Sequence, residues 1–124
     1  PDSLITPGVE VVRIDSSLYF ANNQFVEDLL LKAATWTPGV RFIVLECAAI
    51  ASVDASAMHG LQHVERDLAK ENVTLLFATV RGPVRDIFHT AGCDSWLDDR
   101  SFPDVHAAVK FVRKELGVAE EGED

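Results

Sequence analysis

The sequence predicts an α/β protein, with a mixed β-sheet of four to five strands and about four helices packed on it. Short apolar runs alternate with longer amphipathic runs, and glycine or proline marks the junctions between them. The composition is 48% hydrophobic, which is enough to form one core. A length of 124 residues is too short for two domains. We therefore expect a single domain over residues 1–117 and an acidic, disordered tail over 118–124.

The first two strands are expected to form an antiparallel hairpin. Residues 9–14 are an apolar-rich run, 15–17 predict a tight turn, and 18–20 follow too soon for a crossover helix. The strands predicted at 41–46 and 73–80 are separated by a helical run, so the rest of the sheet should be largely parallel. The run at 73–80 is apolar almost throughout, which predicts a central strand covered on both faces.

Amphipathic runs with capping residues predict the helices. The first follows Asn22 and ends before Thr37, the second spans 54–71, the third runs from Gly82-Pro83 to Gly92, and the last starts at Ser101 or Asp104 and ends at Gly117. Residues 94–100 are polar apart from Trp96 and Leu97, and we expect a short edge strand there.

Charge and composition exclude several classes of function. The net charge of −9 without clustered Lys and Arg argues against a nucleic-acid partner. No apolar run approaches the roughly 20 residues that cross a bilayer, so we expect a soluble chain. Because it starts at Pro1, we expect a piece of a longer protein. Cys47 and Cys93 are interpreted as reduced core thiols.

The chain is organised around residues 49–57, where a buried strand should turn into a helix. Asp54 stands at the N-cap position, and Ser56 lies two residues further on, near the positive end of the helix dipole. A phosphate or another anion would be stabilised there, so Asp54 and Ser56 form a candidate phosphoacceptor or anion loop. The alternative is that Asp54 only caps the helix and Ser56 is a passive polar residue.

Two further groups of charged residues form a candidate interaction surface. His59, His63 and Arg66 fall on the helix face opposite the apolar stripe, and the nearby cations disfavour a metal between the histidines. Arg81 and Arg85 lie at the start of the third helix, where they would hold an anion or pair with Asp86. Pairing is the default expectation, and no metal site is predicted.

Motifs for catalysis and for cofactors are missing. Ser56 has no GxSxG setting, and neither GxGxxG nor GxxxxGK[ST] occurs in the chain. We therefore expect no catalytic residues, no cofactor and no enzymatic activity.

Three stretches taken together resemble the STAS domain, a module shared by SulP-type anion transporters and anti-sigma factor antagonists. The stretches are Pro7-Gly8-Val9 through Leu18-Tyr19-Phe20-Ala21-Asn22, Val44-Leu45-Glu46 through Val53-Asp54-Ala55-Ser56-Ala57, and Val80-Arg81-Gly82-Pro83-Val84-Arg85-Asp86. The first and third are similar to the transporter branch in particular.

That resemblance implies a regulatory or interaction domain at the cytosolic C-terminal end of a multi-pass secondary anion transporter of sulfate or bicarbonate type. Its role would lie in assembly, trafficking or regulation of transport. The implied partners are the membrane domain of the same transporter, a second copy in a homodimer, and a weakly bound nucleotide or anion.

The resemblance also implies an alternative, a free-standing anti-sigma factor antagonist switched by phosphorylation of Ser56. In that branch an Asp precedes two hydroxyl residues, and the second of these is phosphorylated. Here the positions are Asp54, Ala55 and Ser56, so the acceptor is present while Ala55 departs from the pattern. A third reading, a nucleotide-binding enzyme, would require turnover of ATP or GTP.

Overall fold

The computed structural model describes residues 7–14 and 23–117. Its described strands form a four-stranded sheet in the order β1-β2-β3-β4, with every neighbouring pair parallel. The strands are β1 (Val9–Arg13), β2 (Phe42–Glu46), β3 (Thr74–Ala78) and β4 (Ser101–Phe102). The α/β class and the parallel pairing of the later strands are confirmed, whereas the hairpin partner expected at 18–20 lies outside the described residues.

In the described ranges five helices accompany these strands, whereas the sequence predicted about four. They are α1 (Asn23–Ala33), α2 (Ala55–Lys70), α3 (Gly82–Thr90), α4 (Asp94–Asp98) and α5 (Val105–Leu116). The edge strand expected at 94–100 is wrong, because α4 occupies that segment and the strand follows at Ser101. Leu97 is 2% exposed, so α4 places this apolar residue in the core.

The sheet separates two unequal cores. Alternate strand residues point to opposite faces, so Leu75 and Phe77 join the large core beneath α1 to α4, whereas Leu76 joins the smaller core beneath α5. The helices therefore lie mainly on one face. The central position predicted for β3 is confirmed, because both of its faces are covered and it pairs with β2 and β4.

Three capping residues set helix ends as the sequence predicted. Asp54 and Asp104 are the N-caps of α2 and α5, each accepting from a backbone N–H three residues on, at 2.8 Å. Gly117 ends α5 in the left-handed conformation, with φ of 74°. Within the described residues, none of the helices has both the length and the hydropathy needed to cross a membrane.

The two cysteines differ in their surroundings, and this predicts different reactivity. Cys47 is buried, and burial together with the neighbouring Glu46 charge raises the pKa of its thiol to about 12. Cys93 is half-buried. At pH 8 we expect a maleimide to label Cys93 at least about 100-fold faster than Cys47, because the thiolate is the reactive form. Mass spectrometry of the labelled chain, native and in denaturant, measures this; fast native labelling of Cys47 would contradict it.

Candidate functional site

The site predicted from the sequence lies where β2 and β3 end and α2 and α3 begin. The loop between β2 and α2 is anchored by Ile50 and Val53, which are 2% and 7% exposed. Ala51 and Ser52, between these anchors, are exposed. The loop therefore has a fixed inner side and an open outer side.

Asp54 and Ser56 are both exposed at the start of α2. Asp54 Oδ1 accepts from the Ala57 N–H at 2.8 Å, so the capping role expected of Asp54 is present. Ser56 lies in the first turn of α2. Its hydroxyl is therefore placed near the free backbone N–H groups of the helix, and the anion or phosphoacceptor role stays a prediction.

The exposed face of α2 carries the histidines and Arg66. His59, His63 and Arg66 are all exposed, and their spacing of four and three residues places them on one side of the helix. His63 Nε2 lies 3.3 Å from Asp67 Oδ2, and the same carboxylate is 3.8 Å from Lys70. In the described part of the chain, no group of three or more His, Cys, Asp or Glu side chains is arranged to hold a metal ion.

The two arginines of α3 have different partners. Arg81 stands at the N-cap position, and its Nη1 donates to the Ala48 carbonyl of the β2–α2 loop at 3.4 Å. Arg85 pairs with Asp98 of α4 at 3.1 Å. The expected pairing with Asp86 is therefore wrong for both arginines, because Arg81 bonds the Ala48 carbonyl and Arg85 bonds Asp98. The Arg81 side chain thus bonds the loop that precedes Asp54, whereas the Arg85 side chain bonds α4.

A histidine–carboxylate pair joins α3 to α4. His89 Nδ1 lies 2.5 Å from Asp94 Oδ2, with both side chains exposed. The hydrogen bond to Asp94 and the Asp94 charge raise the pKa of His89, and Asp86 adds to this effect. The same bond lowers the pKa of Asp94. Both partners are therefore charged at any pH between the pKa of Asp94 and the pKa of His89. The ion pair is lost when pH rises through the raised pKa of His89, because His89 becomes neutral. It is also lost when pH falls through the lowered pKa of Asp94, because Asp94 is then protonated.

We expect the His89 ring to titrate at higher pH than a histidine in an unstructured peptide, because Asp94 favours the imidazolium. NMR titration of the ring protons measures this in the wild type and in Asp94→Asn. The Asn variant should bring the His89 titration back towards the peptide value. An unchanged midpoint in Asp94→Asn would contradict the assigned partner.

Sequence reasoning missed the contact between Glu46 and Thr79. Glu46, the last residue of β2, is buried at 7% exposure, and its Oε1 accepts from the Thr79 hydroxyl at 3.1 Å. A single acid at the end of an apolar strand run was the available signal for Glu46. Thr79 carried no signal, because its partner is 33 residues away in the chain.

Taken together, these features describe an α/β sandwich that presents a capped helix and charged side chains at the surface. The chain belongs to the STAS domain family, whose model matches residues 1–108. The resemblance drawn from the three sequence stretches is confirmed.

Sulfate transporters are among the proteins that this chain is similar to. The chain is 28% identical over 127 residues to sulfate transporter 1.3 of Arabidopsis thaliana, covering 94% of this chain and 19% of that protein. It spans about a fifth or less of the plant sulfate transporters that it matches. These relatives connect the domain to sulfate transporters.

Solved structures share the fold. The SulP transporter STAS domain from Vibrio cholerae superimposes with a TM-score of 0.72 at 14% identity, over 93% of this chain and 88% of that one. The murine Solute Carrier 26 family member A9 anion transporter gives a TM-score of 0.74 at 22% identity, over 88% of this chain and 18% of that one. In the second comparison the matching part is a small portion of a much longer transporter.

Proposed function

We propose that the chain is the cytosolic regulatory and interaction domain of a SulP-like secondary anion transporter of sulfate or bicarbonate type. The observation that carries this proposal is the match to sulfate transporter 1.3 over 94% of this chain and 19% of that protein. The transport chemistry then belongs to the membrane domain. The domain itself acts by contact in assembly, trafficking or regulation, with the membrane domain or a second copy as partner.

The contact surface that we propose consists of the exposed α2 face and the start of α3. We call the set Asp54, Ser56, His59, His63, Arg66, Arg81 and Arg85 the α2–α3 surface. Arg66 and Arg81 are exposed cations on a chain whose net charge is −9, so this surface favours a partner with carboxylates. Charge complementarity of this kind fixes orientation and excludes wrong partners.

The first test is the coding region upstream of Pro1. The transporter proposal requires an open reading frame with several apolar spans of roughly 20 residues each. A frame that starts directly before Pro1 would overturn it and would favour the anti-sigma factor antagonist. In that case a partner kinase should phosphorylate the chain, and Ser56→Ala should abolish the incorporation of phosphate.

Charge reversal at the α2–α3 surface tests the contact role. We expect Arg66→Glu combined with Arg85→Glu to lower anion uptake by the full-length transporter at least about tenfold, because like charges facing each other across an interface cost several kcal/mol. The melting temperature should change little, since loss of the exposed Arg85–Asp98 pair costs about 0–1 kcal/mol. Radiolabelled sulfate uptake in cells and thermal unfolding of the chain are the measurements.

A matched control carries the same change of charge elsewhere. Lys32→Glu with Lys114→Glu reverses two exposed cations on α1 and α5, away from the α2–α3 surface. Uptake in this control should stay near the wild-type value. Equal uptake in both double variants would exclude the α2–α3 surface as the contact site.

A further inference from the structure

Glu46 is a buried acid that the proposed contact role does not use. Within residues 7–14 and 23–117 it is the single charged residue in the buried class, at 7% exposure. Its carboxylate accepts two hydrogen bonds from neutral donors, the Ala48 N–H at 2.7 Å and the Thr79 hydroxyl at 3.1 Å. Burying a carboxylate is unfavourable unless such bonds satisfy it, and an apolar residue of similar size would avoid the penalty.

Thr79, the partner of Glu46, has an unfavourable backbone conformation. Its φ is 58°, in the left-handed region that β-branched residues rarely adopt. Among the residues that the structure describes, the other non-glycine residue with positive φ is Asn72, a type that tolerates this conformation well. Strain of this kind persists only where surrounding contacts hold it in place, and the Glu46 carboxylate is such a contact.

Hydrogen bonds connect the loop after β2 to the turn after β3. The Cys47 N–H donates to the Ala78 carbonyl at 2.9 Å, and Arg81 Nη1 donates to the Ala48 carbonyl at 3.4 Å. The Glu46 carboxylate accepts one further bond from the loop, from the Ala48 N–H, and one from the turn, from the Thr79 hydroxyl. The loop that leads into α2 and the turn that leads into α3 therefore meet at one carboxylate.

We propose that Glu46 is the positioning residue of the α2–α3 surface. Its carboxylate holds the β2–α2 loop against the β3–α3 turn, and so fixes Arg81 relative to the start of α2. The inference rests on the proposed contact role of that surface. It explains why two locally unfavourable features, a buried acid and a strained threonine, occur as partners.

Three variants separate positioning from core stability. Glu46→Gln keeps both bonds, because its amide oxygen accepts from the Ala48 N–H while its amide nitrogen donates to the Thr79 oxygen. Glu46→Met keeps the volume and loses both bonds. Thr79→Gly removes the backbone strain, which is stabilising, and loses the bond to Glu46, which is destabilising. Because these two effects oppose each other, its melting temperature should stay near the wild-type value.

Native-state hydrogen exchange of the 124-residue chain reads out the local effect. In Thr79→Gly we expect the Ala48 and Ile50 amides to exchange roughly 3- to 10-fold faster, because local opening becomes easier by about the net contribution of one hydrogen bond. In Glu46→Met both bonds are lost, so exchange of these amides should be faster still. The Leu76 amide, in the middle of β3, is the internal reference and should be unchanged in Thr79→Gly. Glu46→Gln should exchange as the wild type does.

Anion uptake by the full-length transporter reads out the consequence. We expect a several-fold loss in Thr79→Gly and Glu46→Met, with Glu46→Gln restoring the wild-type rate. Unchanged loop exchange in Thr79→Gly, or acceleration that includes Leu76 equally, would overturn the positioning role. Faster loop exchange with normal uptake would overturn it as well, provided that the Arg66 and Arg85 reversal impairs uptake. If that reversal also leaves uptake normal, the proposed contact role fails and the positioning inference falls with it.

Discussion

Replacing Trp96 by alanine is expected to lower the free energy of unfolding by about 3–5 kcal/mol, as truncation of packed aromatic residues does. The Trp96 ring is stacked on Phe88, with centroids 5.8 Å apart and planes 3° from parallel, and it lies 5.7 Å from Phe77. Arg100 covers the ring at 4.6 Å from its centroid and contacts Glu65 at 3.5 Å. Removing this half-buried indole therefore leaves a gap at the edge of the large core and removes the ring against which Arg100, the partner of Glu65, packs.

Trp36 is the matched control. It lies beyond the end of α1 and is 50% exposed, so Trp36→Ala should change stability by less than about 1 kcal/mol. Urea unfolding followed by far-UV circular dichroism measures both variants without relying on tryptophan fluorescence. Equal losses for Trp36→Ala and Trp96→Ala would show that the Phe77, Phe88 and Trp96 cluster does not stabilise the fold as described.

Leu61→Ala is expected to cost about 2–5 kcal/mol. Leu61 is 5% exposed in the large core beneath α2, the same core that contains Phe77 of β3 at 1% exposure. Deleting the isobutyl group leaves a cavity between helix and sheet, which the surrounding strands cannot fill completely.

His59→Ala, two residues earlier on the same helix, provides the comparison for Leu61→Ala. Its side chain is exposed, so the loss should stay within about 0.5 kcal/mol. The denaturation midpoints of both variants should be measured under the same buffer conditions. A larger loss from His59→Ala than from Leu61→Ala would mean that α2 is rotated relative to the sheet.

The parts of the fold set by local chemistry could be predicted from the sequence. Asp54 begins α2 where it was expected, and Asp104 and Gly117 bound α5. Each of these signals acts within one helical turn, through a side chain that satisfies a nearby N–H or through a left-handed glycine. Apolar spacing then fixed which face of α2 is buried.

The parts set by contacts distant in the chain could not be predicted. Arg85 of α3 pairs with Asp98 of α4, and α4 (Asp94–Asp98) lies where a strand was expected. The first helix was expected to end just before Thr37, but α1 ends at Ala33 and the Trp36 indole beyond it is exposed. At the candidate site, Asp54 and Arg81 were found from cap and motif positions. Glu46 and Thr79 were not, because their importance comes only from meeting across two strands.

The order of the described strands has a consequence for the kind of partner that the domain accepts. In open parallel sheets, ligand crevices form where connections from neighbouring strands leave to opposite faces of the sheet. Here the connections β1–α1–β2, β2–α2–β3 and β3–α3–α4–β4 all pack on the same face, and consecutive strands are neighbours. Among the described strands, the carboxyl ends of β1, β2 and β3 therefore have no topological switch point between them. The β2–α2 loop and the β3–α3 turn lie side by side, a geometry that suits a broad macromolecular contact better than a small molecule enclosed in a cleft.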